Sequence, residues 1–230
     1  MTPLVLLPGM MCDARLFFPQ IAALSGRRSV MTAPIGGADS MAALARRVLA
    51  DAPPRFALAG LSMGGILAME IVRQAPERVE RLALLDTNPQ AELDAVREKR
   101  GPQMEAVRLG DLRAVMRDEM KPNYLVDGPR KSEILDLCMA MALDLGPEVF
   151  LNQSIALRDR PDQKETLRAY AGPSLVLCGR HDALCPVERH ELMRDLLANA
   201  QLTIIEDAGH MPTLEQPEET TAALVRWLEE

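Results

Sequence analysis

Apolar positions in this chain fall into two patterns. The first is the short unbroken run: Leu4 to Leu7, Ser29 to Ala33, Phe56 to Leu61, Val79 to Asp86, Ser174 to Gly179 and Leu202 to Ile205. Runs this brief, the first two stopped by Pro or Gly, read as buried strands. The second pattern has helical period. It comprises Met41, Leu44, Ala45, Val48 and Leu49, with Asp39 or Ser40 as N-cap and Pro53-Pro54 beyond the end. It recurs from Gly64 to Gln74 with Ile66, Leu67, Met69, Ile71 and Val72, ending before Pro76, and again from Pro217, a good first helical residue, to Leu228.

Strand and helix alternate at both ends of the chain, and strands buried on both faces should be continuous Val/Ile/Leu runs of this kind. The fold class is therefore α/β, a doubly wound, mostly parallel sheet of about six strands. Residues 88–168 break the rhythm. They hold no convincing strand but several amphipathic pieces, around Ala91 to Arg108, Leu112 to Met120, Ser132 to Leu145 and Glu148 to Leu157. The expected organisation is a core of residues 1–87 and 169–230 with a helical cap inserted at 88–168, since a long excursion between sheet elements is more often functional than idle.

Composition narrows the class. With 230 residues, 48% hydrophobic and 26% charged, the chain is an ordinary globular protein and not a disordered, collagenous or disulfide-scaffold one. A net charge of -7 gives no basic field to hold a nucleic acid or an anionic membrane, so neither is an expected partner. The N-terminal apolar run is too short for a signal peptide or a membrane span and lacks a basic flank, which makes the cytoplasm the expected location. Cys12, Cys138, Cys178 and Cys185 show neither a CxxC nor a His at ligand spacing, and read as reduced thiols, mostly core filler.

The candidate chemistry begins at Gly60-Leu61-Ser62-Met63-Gly64, a Gly-x-Ser-x-Gly between a strand and a helix. At so sharp a turn the flanking chain passes close to the serine, and positions two before and two after must lack bulk. Gly60 and Gly64 satisfy this. A serine hydroxyl is a poor nucleophile and needs a base, itself oriented by an acid. Of the three histidines, His210 follows the last strand in Ala208-Gly209-His210-Met211-Pro212, at the carboxyl edge of the sheet where Ser62 also stands. His181 and His190 read as surface histidines. Asp182 follows the strand ending at Gly179; Asp86, at the end of Val79 to Leu85, is the rival acid, with turn formation beside Thr87 and Asn88 as its ordinary role.

The order Ser, Asp, His, with the elbow, the acid loop and the closing Gly-His-Met-Pro-Thr-Leu-Glu-Gln-Pro-Glu-Glu segment, resembles the α/β-hydrolase superfamily over nearly the whole chain. Within it the chain is similar to small capped serine esterases, among them the pimeloyl-carrier-protein methyl ester esterases. The resemblance implies an eight-stranded sheet with a cap after the sixth strand, this chain starting at the third. It also implies an acyl-enzyme on Ser62 with no cofactor or metal, and an oxyanion hole made by two backbone N–H groups. One belongs to Met63 and the other to the loop Pro8-Gly9-Met10-Met11, where Met10 is the candidate and Met11 the alternative.

The insertion is rich in methionine: Met104, Met116, Met120, Met139 and Met141. Met at helical spacing is ordinary core more often than not, but it also suits a lid over an apolar cleft. With few fixed charges or aromatic platforms evident, the expected substrate is a small ester, or a thioester, with an apolar acyl or alkyl group. The basic residues of the insertion, Arg97, Lys99, Arg100, Arg108, Arg113, Arg117, Arg130 and Lys131, interleave with acidic ones and read as solvated helix faces. Acyltransfer, perhydrolysis, C–C cleavage and a non-catalytic receptor remain the alternatives on the same framework.

Overall fold

The computed structural model describes residues 1–229. The order of elements is β1 (Leu4–Leu7), α1 (Phe18–Leu24), β2 (Val30–Thr32), α2 (Met41–Asp51), β3 (Phe56–Leu61), α3 (Met63–Gln74) and β4 (Val79–Leu85). Then come α4 (Asp94–Arg108), α5 (Leu112–Val115), α6 (Lys131–Arg158), α7 (Lys164–Ala169), β5 (Ser174–Gly179), α8 (Val187–Leu196), β6 (Ala200–Ile205), α9 (Pro212–Glu215) and α10 (Pro217–Glu229). The strands form one sheet of six in the order β2-β1-β3-β4-β5-β6, every pair parallel, as the unbroken apolar runs require. No described helix is long and apolar enough to cross a membrane.

Successive side chains on a strand point to opposite faces, and the two cores divide accordingly. Val5 and Leu7 of β1, Leu58 of β3 and Leu82 and Leu84 of β4 join Leu44 and Val48 of α2, Leu67 and Ile71 of α3 and Met193 of α8. Leu4 and Leu6, Ala57 and Ala59, and Ala83 and Leu85 face the other way, onto Leu24 of α1 and Leu224 and Trp227 of α10. A surface helix carries one apolar stripe; α3, buried along most of its length between sheet and neighbours, carries almost none that is polar.

Several boundaries differ from the expected ones. β6 starts at Ala200 rather than Leu202 and, as an edge strand, is mostly half-buried, with Gln201 exposed. The pattern gave no element between β1 and β2, yet a 3-10 turn at Ala14–Phe17 and α1 fill that stretch, the turn capped by Asp13. Between β4 and β5 there are only helices. The two pieces expected at Ser132 to Leu145 and Glu148 to Leu157 are one path, α6, broken at Gly146 (φ 82°, ψ 175°) just before Pro147. Leu112 to Met120 is a single helical turn continued by a π-helical one, Met116–Met120.

Candidate active site

The turn from β3 to α3 places Ser62 at φ 55°, ψ -115°, outside the range an L-residue adopts freely. It is held there by Ser62 N–H donating to Leu85 O (2.9 Å) and by its own carbonyl accepting from Gly65 and Ile66 N–H and from the Thr87 hydroxyl (2.7 Å). The expected need for small neighbours is met in full: a Cβ on Gly60 would collide with the Gly64 carbonyl, and one on Gly64 with the carbonyl of Leu7. The non-glycine residues with positive φ among those described, Met11, Ser62 and Asp86, all follow carboxyl ends of strands.

His210 is brought to Ser62 by the loop after β6. Its backbone N–H donates to Tyr124 O (2.7 Å) from the segment between α5 and α6. The loop is gripped from below by Glu215, whose carboxylate accepts from Gly209, Met211 and Val126 N–H groups at 3.0 Å each. Burial pushes the Glu215 carboxyl above its usual range, against the pull of those N–H donors. Sequence reasoning missed this role; Glu215 lies in the closing segment it quoted, but nothing in one sequence reveals three converging N–H groups.

His210 Nε2 lies 2.9 Å from Ser62 Oγ and Nδ1 lies 2.8 Å from Asp182 Oδ2. Asp182 Oδ1 accepts from Leu184 N–H (2.8 Å) and Cys185 N–H (3.0 Å). Burial raises the Asp182 pKa, but His210 and these N–H groups outweigh it and hold the carboxyl below its usual range. An ionised carboxylate only accepts, so Nδ1 carries the proton and Nε2 presents its lone pair to the serine O–H. Ser62, His210 and Asp182 are thus joined in one line.

The rival acid is elsewhere engaged. Asp86 Oδ1 accepts from Gly179 N–H (2.9 Å), and burial followed by the charge of Asp182 pushes this carboxyl well above its ordinary pKa. His190 is a correction: it is fully buried, not a surface residue. Its Nε2 accepts from Thr87 N–H (3.1 Å) while Nδ1 faces Pro186 O (3.2 Å), which ties α8 to the chain leaving β4. His181 is exposed as expected.

The loop after β1 distinguishes Met10 from Met11. Met11 N–H is taken by Gln153 Oε1 of α6 at 2.8 Å, whereas no described group accepts from Met10 or Met63 N–H. Cys12, Cys138 and Cys178 are buried and unbridged, and Cys185 is half-buried. Among the described residues the one group with metal-ligand geometry is Asp182, Cys185 and His210, their ligand atoms within 4.8 Å of one another; both His210 ring nitrogens are already engaged, by Asp182 and Ser62.

Ser62 and His210 open on a cavity of about 310 Å³, an ordinary size for a small-molecule site. Its apolar lining includes Ile66, Met120 and Leu157, and the exposed Leu93, Val96 and Leu184 also line it. Met104, Met116, Met139 and Met141 are core; of the methionines in the insertion, Met120 reaches the cavity. The expectation of a wall with few fixed charges is overturned. Arg100, read as a solvated residue, is 9% exposed and lines the cavity together with Glu92 and Arg160. Interleaved acidic and basic residues on α4 do not disclose which of them faces inward.

A family model described as "Alpha/beta hydrolase family" matches residues 4–224. The pimeloyl-[acyl-carrier protein] methyl ester esterase of Klebsiella pneumoniae subsp. pneumoniae is 26% identical over 190 residues, covering 79% of this chain and 72% of its own. The enzyme of the same name from Aromatoleum aromaticum is 27% identical over 183 residues, covering 75% and 73%. A thermophilic esterase from Thermogutta terrifontis, solved with malate bound, superposes with a TM-score of 0.89 at 28% identity, covering 100% of this chain and 90% of that one. An enol-lactonase from Burkholderia xenovorans shares the fold, with a TM-score of 0.87 at 23% identity and coverage of 100% and 92%.

Proposed function

Since the chain belongs to the alpha/beta hydrolase family, we propose that it is an ester-acting serine hydrolase that works through an acyl-enzyme on Ser62. The observation that carries this reading is the line from Ser62 Oγ through His210 to Asp182, at 2.9 and 2.8 Å, opening on the cavity. Esterase relatives of similar length support the bond type.

In this mechanism Ser62 Oγ attacks the ester carbonyl as its proton passes to His210 Nε2. Asp182, kept ionised, stabilises the imidazolium without accepting the proton itself. The carbonyl oxygen becomes an oxyanion, for which the unengaged N–H groups of Met10 and Met63 are the donors. The C–O bond to the alcohol then breaks, and the alcohol leaves with the proton from His210. Water repeats the sequence on the acyl-enzyme, with His210 again the base, and returns Ser62 and a free carboxylic acid. Every group needed is supplied by the chain. The segment 88–168 acts as the lid, supplying Glu92, Met120 and Leu157 to the cavity walls.

Hydrolysis of p-nitrophenyl esters from acetate to decanoate by wild type and Ser62→Ala tests the reading. Turnover should depend on Ser62 and show a chain-length optimum set by the cavity. Ser62→Ala and His210→Ala should each lose ~10⁴–10⁶-fold in kcat, and Asp182→Asn less. Equal turnover by wild type and Ser62→Ala would overturn it.

A further inference from the structure

One wall of the cavity carries an ionic group for which the reaction just described has no use. Glu92 Oε2 accepts from Arg100 Nε at 2.9 Å and from its Nη2, while Oε1 pairs with Arg160 Nη1 at 3.0 Å. All three side chains line the cavity, with Glu92 and Arg100 9% exposed and Arg160 8%. Two guanidiniums therefore share one carboxylate out of bulk water. A tether between α4 and the end of α6 needs only one of them, and a buried ion without a partner is strongly unfavourable.

The surroundings do not supply the missing negative charge. Arg160 Nε is spent on the carbonyl of Gln90 (2.9 Å), and Arg189, held by the Gln90 side chain (2.7 Å), adds a further cation to the lining, as does Lys99. The remaining carboxylate of the lining, Glu119, accepts from the neutral amide of Gln103 (2.9 Å) and, among the described residues, pairs with neither Arg100 nor Arg160. On a chain whose net charge is -7, this wall is locally positive.

Its position relative to the scissile bond is also fixed. Arg100 Nη1, the guanidinium nitrogen that Glu92 leaves free, has Met10 Sδ at 4.0 Å, a weak acceptor, as its neighbour. Met10 N–H is the oxyanion donor of the proposed mechanism, so the free edge of Arg100 stands about one methionine side chain from where the reacting carbonyl sits.

We propose that Arg100 and Arg160 form an anion subsite, and that the substrate is an ester carrying a carboxylate a few bonds from the scissile carbonyl, as in the half-ester of a short dicarboxylic acid. The carboxylate completes the charge balance of the Glu92 cluster, and a planar guanidinium fork suits it better than any other anion-binding side chain. The apolar residues of the cavity contact the chain between the two ends. This inference rests on the esterase reading.

The test compares monomethyl glutarate with dimethyl glutarate, in which the far carboxylate is masked as a second methyl ester, by methanol release at pH 7.5, with the diester rate halved for its two equivalent esters. Wild type should show at least a tenfold higher kcat/KM for the monoester, chiefly through KM, with that KM rising as NaCl is added. In Arg100→Met and Arg160→Met the ratio of monoester to diester kcat/KM should fall toward one. Ser62-dependent cleavage of both esters with equal kcat/KM in wild type overturns the anion subsite and leaves the esterase reading standing. If neither is cleaved, the esterase reading stands or falls by the p-nitrophenyl esters, and binding judges the subsite alone. Glutarate should raise the melting temperature of wild type and not that of the two variants, and no rise in wild type overturns it.

Discussion

A non-glycine residue held at φ 55° costs about 1–3 kcal/mol, and Ser62 is held there by hydrogen bonds to Leu85, Thr87, Gly65 and Ile66. Those bonds come from β4, the chain just beyond it and the first turn of α3, and they lift the hydroxyl clear of the backbone, toward His210. The same scale governs His190. Its Nε2 accepts from Thr87 N–H, so a second proton on the ring would set two donors face to face; burial brings its pKa down to about 4. A histidine whose folded pKa is depressed binds fewer protons in the native state than in the unfolded one. Stability is therefore full above the unfolded pKa of ~6.5 and falls as pH drops from there toward 4, by about 3 kcal/mol from this residue. Urea unfolding of wild type between pH 7 and 4 should show this slope, and His190→Gln, which keeps a side-chain acceptor without a titration, should flatten it. An unchanged slope would assign the acid sensitivity to other groups.

At the scale of elements, the break in α6 matters most. Gly146 adopts a backbone conformation open essentially to glycine alone, and Pro147 restarts the helix, so the second half of α6 runs in its own direction over the carboxyl edge of the sheet. From there Gln153 reaches the loop after β1, accepting from Met11 N–H and donating to Ile35 O at 3.3 Å. The insertion thus sets the turn that presents Met10. Gln153→Leu leaves a buried N–H unpaired, which destabilises by about 1–3 kcal/mol, and loosening of the turn should lower kcat by roughly 10–100-fold. Gln153→Glu, which retains an acceptor, should recover most of that kcat. Labelling of Ser62 by a fluorophosphonate should persist in both, which separates a positioning role from loss of the nucleophile. The strand–turn–helix of the elbow was legible from sequence because its glycines, its apolar run and its helical period are all local. The path of α6 was not, since residue pattern reports where a helix breaks but not where it points.

Over the whole molecule, stability is unevenly distributed. β3 and β4 are central strands, paired on both sides and buried by both cores, whereas residues 112–123 pass through one α-turn, a π-turn and a 3-10 turn with half their side chains exposed. Amides of β3 and β4 should exchange with deuterium only through global opening, and those of 112–123 through local opening on a far shorter timescale; equal protection of the two would contradict this uneven distribution. The sequence by itself determined the parallel α/β sheet, and it singled out Ser62, Asp182 and His210, which the fold brings within hydrogen-bond distance of one another. These follow from periodicity, from turn chemistry and from chain order, which are all properties of neighbours. Only the tertiary structure decided that His190 is a buried strut, that Met11 N–H is already spent on Gln153, and that Arg100 turns inward to share Glu92 with Arg160. Each of these depends on contacts between segments far apart in the chain, and a charged or polar side chain looks the same in sequence whether its partner is water or another residue.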